Sequence, residues 1–111
     1  MARLLLVHGD AEVARKTARE LEAAGHEVTV ETEAHRAWRR LRQDPPPDVL
    51  LCSLSPTGNP GLDAAAATKA TRLKAIDIVF YDVPPRLEED VRREYPRAVF
   101  ATRETLLDSL P

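Results

Sequence analysis

The chain has a single cysteine, Cys52, so no internal disulfide can close, and without a cluster of Cys and His residues no zinc site can be assembled. Nor is either charge in excess. Sixteen Lys plus Arg stand against eighteen Asp plus Glu, a formal net charge of −2, which does not supply the basic field that a phosphate backbone requires. Nucleic acid is therefore not an expected partner. Apolar runs are short as well: none exceeds Leu4–Val7 in length, far below a membrane span, and the N-terminus lacks the apolar core and cleavage site of a secretory signal. No membrane contact and a cytoplasmic location are expected. Glycine is scarce at four residues, and its one cluster, Gly58 to Gly61, lacks the Gly-Lys-Ser/Thr ending of a phosphate loop, which leaves a turn.

What remains is an ordinary globular composition, 43% hydrophobic and 31% charged over 111 residues. That length suits one domain spanning residues 1–111, which should bury on the order of 65% of its unfolded-state surface.

Short apolar runs alternate with helical patterns. Arg3 to Val7 is a continuous apolar run, the mark of a strand covered on both faces. Asp10 offers an N-cap carboxylate to a helix from about Ala11 to Ala24, with Val13, Thr17, Leu21 and Ala24 on one stripe, and Gly25 ends it. His26 to Val30 reads as a second strand. Glu33 to Gln43 reads as a helix burying Ala34, Ala37, Trp38 and Leu41, stopped by Pro45 to Pro47. Asp48 to Leu54 is a third strand, followed by a loop and an alanine-rich helix from about Leu62 to Leu73. Ile76 to Tyr81 supplies a fourth strand, and Pro84-Pro85 opens a helix to about Tyr95. Arg97 to Ala101 is a fifth strand, and a final short helix is expected from Thr102 or Arg103 to Leu110.

Strict β-α alternation makes a parallel sheet with helices on both faces, because each crossover is long enough for a helix and is right-handed. The expected fold is α/β: a flavodoxin-like, doubly wound three-layer sandwich with a five-stranded parallel sheet. Ligands in such folds sit outside the carboxyl ends of the strands. The candidate residues are thus His8, Gly9, Asp10, Ser53, Asp82 and Arg103.

From LLLVHGDAEVARKTARELEAAGHEVTV through PPPDVLLCSLSPTGNPGLDAA and IDIVFYD to AVFATRETLLDSL, the whole chain resembles the CheY-like receiver domain of two-component response regulators. The resemblance implies a five-residue phosphotransfer constellation, and the chain departs from it at each aligned position. His8 and Gly9 stand where two acidic residues hold Mg²⁺, a hard cation that needs carboxylate oxygens. Ser53 aligns with the phospho-accepting aspartate, and its hydroxyl is not ionised near neutral pH. Asp82 replaces the switch Ser or Thr, and Arg103 the lysine, with Glu104 in place of the proline after it. The implied reading is a degenerate pseudo-receiver, not an enzyme, with no cofactor and no Mg²⁺ or other metal.

Other readings of these residues are set against it. A Ser-His-Asp hydrolase of Ser53, His8 and Asp82 lacks the Gly-x-Ser-x-Gly elbow. Opposite charge suggests a salt bridge between Asp82 and Arg103. Cys52 reads as a buried small hydrophobe; Trp38 reads as core, the alternative being an aromatic on a partly open helix face that anchors a partner; and the runs Arg36, Arg39, Arg40, Arg42 and Arg86, Arg92, Arg93, Arg97 read as solvated helix faces, the alternative for the first being a local anionic docking patch. The expected function is signal transduction by phosphorylation-independent interaction with a protein partner. The resemblance implies a docking face on helix four, strand five and helix five, including Arg92, Tyr95, Phe100, Arg103 and Leu106, through which the chain could also form a homodimer. The alternative is a sensor of a small ligand or metal in the altered pocket.

Overall fold

The computed structural model describes residues 2–43, 45–54, 62–66 and 76–110. Five parallel strands, β1 (Arg3–Val7), β2 (Glu27–Glu31), β3 (Val49–Ser53), β4 (Asp77–Tyr81) and β5 (Val99–Ala101), form one sheet in the order β2-β1-β3-β4-β5. Between them lie α1 (Ala11–Ala23), α2 (Ala34–Leu41), the helical residues 62–66 (α3) and α4 (Pro85–Glu94). This is the flavodoxin-like architecture expected from the alternation.

The apolar runs of the central strands bury both faces, and their side chains alternate between two cores. Leu5 and Val7 of β1, Leu50 and Cys52 of β3 and Phe80 of β4 join Ala37 and Leu41 of α2, Ala64 and Ala65 of α3 and Val91 of α4. Leu4 and Leu6, Val49 and Leu51, and Val79 and Tyr81 point the other way, against Ala14, Ala18 and Leu21 of α1 and Leu106 near the C-terminus.

Local chemistry sets the boundaries. Asp10 caps α1, its Oδ1 accepting from the N–H groups of Glu12 and Val13 at 3.0 and 3.2 Å. At the other end Gly25, with φ +97°, closes a Schellman motif: its N–H donates to Glu22 O at 2.9 Å and that of His26 to Leu21 O at 3.2 Å. Pro84 and Pro85 open α4, where a missing N–H costs nothing.

Four expectations shift. The buried stripe of α1 is Ala14, Thr17, Ala18 and Leu21, rotated from the expected one, and Ala24 is exposed. Trp38 is half-buried rather than core, because Ala37 and Leu41 already fill the contact with the sheet. β5 is short, and no α-helix follows it among the described residues. Thr102 and Thr105 exchange hydrogen bonds there, the Thr102 N–H donating to Thr105 Oγ1 at 2.9 Å and the Thr105 N–H to Thr102 Oγ1 at 3.2 Å. These side chains offer the backbone a turn in place of a helix, and only a 3₁₀ turn at Leu107–Ser109 follows. The expected loop from Ser55 to Gly61 and the helix beyond residue 66 lie outside the described residues.

Candidate functional site

The carboxyl ends of β1, β3, β4 and β5 bring His8, Asp82 and Arg103 within electrostatic range of one another, with Asp10 beside them. His8 follows β1 directly. Its N–H donates to Glu31 O at 3.2 Å, extending the ladder to β2, and its Nδ1 accepts the Asp10 N–H at 2.8 Å. An imidazole that accepts at Nδ1 carries its proton on Nε2 and is neutral. Burial holds the His8 pKa below its ordinary 6.5; Asp10 opposes this, Arg103 adds to it and Asp82 opposes it. Gly9 is exposed, and the Asp10 carboxylate is committed to the first turn of α1.

Asp82 lies just past β4 with φ +52°, a left-handed conformation that Asp tolerates better than most residues. Its N–H donates to Ala101 O at 3.1 Å, and its Oδ1 accepts the Arg103 N–H at 2.9 Å. The expected pairing of Asp82 with Arg103 therefore exists in a different form. The carboxylate takes the backbone amide, and the guanidinium makes no ion pair among the described residues. The bond spans 21 residues and ties the end of β4 to the segment after β5.

Ser53 ends β3, half-buried and in register with Tyr81 of β4. Sequence reasoning passed over Tyr81. Its ring is 1% exposed on the α1 side, and its hydroxyl, like that of Thr17 at 1%, is buried without a hydrogen-bond partner among the described residues. Burial pushes the phenol up to about 12; the Thr17 and Ser53 hydroxyls approach closely enough to moderate the rise, though not in hydrogen-bonding geometry. The available signal was Thr17, a polar residue on the apolar stripe of α1. Cys52 is fully buried, which raises its pKa far above the ordinary thiol range. Among the described residues no three His, Cys, Asp or Glu side chains cluster closely enough to hold a metal ion.

On the other side of the sheet, α4 and β5 share an aromatic group. Phe80 packs against Tyr95 at 5.3 Å and Phe100 at 5.4 Å between ring centroids, and the Arg92 guanidinium lies 4.1 Å above the Phe100 ring. Arg92, Tyr95 and Phe100 thus share one surface, while Arg103 stands at the sheet edge. Leu106 does not belong to that surface: it is 2% exposed and packs into the α1-side core. Without a fifth helix its side chain is drawn into the space beside α1, and Leu107, 46% exposed, is the outward residue.

No family model matches the sequence, and no curated protein matches it. Solved structures do. The chemotaxis protein CheY4 of Vibrio cholerae superposes with a TM-score of 0.73 at 20% identity, covering 98% of this chain and 95% of that one. The fold is that of a receiver domain. The receiver domain of the Francisella response regulator 1452 gives 0.73 at 13% identity over 94% of this chain and 85% of its own. The pseudo-receiver domain of the CikA protein gives 0.71 at 20% identity over 91% and 82%.

Proposed function

We propose that the chain is a pseudo-receiver: a receiver-like domain of a two-component signalling system that docks on a protein partner without aspartyl phosphorylation. The observation that carries this reading is Ser53 at the carboxyl end of β3, the place where the fold's phosphotransfer chemistry needs a carboxylate. The neighbouring groups support it. Asp10 is engaged with α1, Asp82 with the Arg103 amide, and His8 Nδ1 with the Asp10 amide, so the residues present do not fit the Mg²⁺ of receiver chemistry. The domain performs no catalysis in this reading. Its docking surface is the α4–β5 face, where Arg92, Tyr95 and Phe100 stand together, and self-association uses the same face.

An amide NMR titration with Mg²⁺ and then beryllofluoride, the mimic of an aspartyl phosphate, tests the inert site. Resonances of His8, Asp10, Ser53 and Asp82 should stay in place, and saturable shifts there would overturn the reading. Reversing charge at Arg92 and Arg93 should abolish partner binding or self-association through α4, and unchanged association would remove that surface.

A second reading is favoured by one observation: the Tyr81 and Thr17 hydroxyls, unpaired among the described residues, lie close to Ser53, near the Arg103 guanidinium. Both hydroxyls are covered, so a small polar ligand would have to open the sheet edge to reach these donors. A thermal-shift panel of nucleotides, anions and metals separates the two, since only a sensor responds.

A further inference from the structure

His35, Trp38, Arg39 and Arg42 recur at i, i+3, i+4 and i+7, which places them on one stripe of α2 and its C-cap. Trp38 borders the core and is half-exposed, and the other three are exposed. The Arg42 guanidinium lies 4.5 Å above the indole ring, which holds both groups in place before any partner arrives. Arg39 makes no ion pair among the described residues, whereas Arg36 is paired with Glu33 at 3.0 Å and Arg40 with Glu31 at 2.9 Å on the far side of the helix. The helix carries no acidic residue, in a chain whose net charge is −2. Tryptophan and arginine are also among the residues that most often dominate interface energies, the first by the area of its rigid ring and the second by its planar, multiply donating guanidinium.

We propose that this stripe is a second docking site, for an acidic segment of a partner protein. One carboxylate of the segment pairs with Arg39, a second approaches Arg42, and an apolar side chain lies on the indole of Trp38. Charge complementarity selects an acidic occupant, and geometry selects a peptide over a lipid surface. A lone, half-buried indole capped by a guanidinium cannot insert into a bilayer, but it offers a platform the width of one side chain. The proposal does not depend on the α4–β5 face, which lies beyond β3 and β4 on the sheet.

Trp38 is the single tryptophan, so its emission reports the site directly. The full chain is titrated with a short synthetic peptide of alternating glutamate and leucine. The expected result is a saturable change in Trp38 emission that weakens with added salt. It should weaken about tenfold in affinity in the R39E/R42E variant and measurably in the milder R39Q variant, with each variant's fold checked by circular dichroism. R92E in α4 should leave the titration unchanged; a loss there would assign the binding to the α4–β5 face and overturn the proposal. Absence of a response, an equal response to a lysine–leucine peptide, or unchanged affinity in the α2 variants would also overturn it. So would equal or tighter binding of phosphatidylserine vesicles or a single-stranded oligonucleotide, which would mark a general polyanion surface.

Discussion

Replacing Asp82 with alanine removes two things at once, and the structure allows them to be separated. The residue holds φ at +52°, where an aspartate is tolerated and an alanine pays about 1 kcal/mol. Its carboxylate also accepts the Arg103 N–H at 2.9 Å, a charge-assisted bond at an exposed position worth about 0.5–1.5 kcal/mol. Asp82→Ala should therefore cost about 1.5–2.5 kcal/mol, or roughly 6–10 °C in Tm for a domain of this size. Asp82→Gly restores the backbone freedom and should lose only the hydrogen-bond part. Asp82→Asn keeps both a left-handed preference and an acceptor, and should cost less than about 1 kcal/mol. Urea unfolding at constant m-value measures the three differences, and hydrogen exchange at the Arg103 amide follows the bond itself. If alanine and glycine cost the same, the left-handed backbone carries no strain. If Arg103 exchange is unchanged in Asp82→Ala, the carboxylate does not hold that amide, and the reasoning fails.

His8 makes stability depend on pH. Its folded pKa is held below 6.5 by burial, so in the window beneath 6.5 the unfolded chain binds more protons, and stability falls as pH is lowered toward the folded value. His8→Gln should flatten that slope in denaturation curves collected between neutrality and mild acid; an unchanged slope would assign it elsewhere. Tyr81→Phe removes a buried hydroxyl that has no hydrogen-bond partner among the described residues and should be neutral or stabilising by up to about 1 kcal/mol, whereas a destabilisation would reveal a hydrogen bond or bridging water. Native Cys52, fully buried and held in the thiol form, should resist iodoacetamide until the chain unfolds, and rapid alkylation at neutral pH would contradict that burial.

Most of the sheet is legible in the chain because parallel strands buried on both faces leave continuous apolar runs. Leu4 to Val7 and Val49 to Cys52 can be read directly, and Gly25 and Asp10 mark the ends of α1 through cap chemistry. Periodicity failed where packing chose among near-equivalent residues. On α1, small Ala14 and Ala18 approach the sheet while Ala24 does not. It failed also where side chains compete with the backbone: Leu106, Leu107 and Leu110 have helical spacing, but Thr102 and Thr105 divert the turn that would begin the helix. At the site, topology gave the neighbourhood of His8, Asp82 and Arg103 but not their bonding. Opposite charges suggest a guanidinium pair, and only backbone geometry shows that the closer donor is an amide.

That bonding pattern bears on how such a domain can signal. A switch needs an element with two arrangements that a ligand biases unequally. In this edge three polar side chains fasten two chain segments: His8 and Asp10 secure the turn into α1, and Asp82 secures the step from β4 to the residues after β5. These bonds tie the turn into α1, and the step from β4 to the residues after β5, through the protein's own side chains. On the proposed reading, the α4–β5 aromatic group and the α2 stripe are presented in the resting state. Under the proposed docking function, recognition follows the presence and concentration of partners, and the Asp82 series tests the link, because loosening the edge should weaken docking on the α4–β5 face while leaving the α2 titration unchanged.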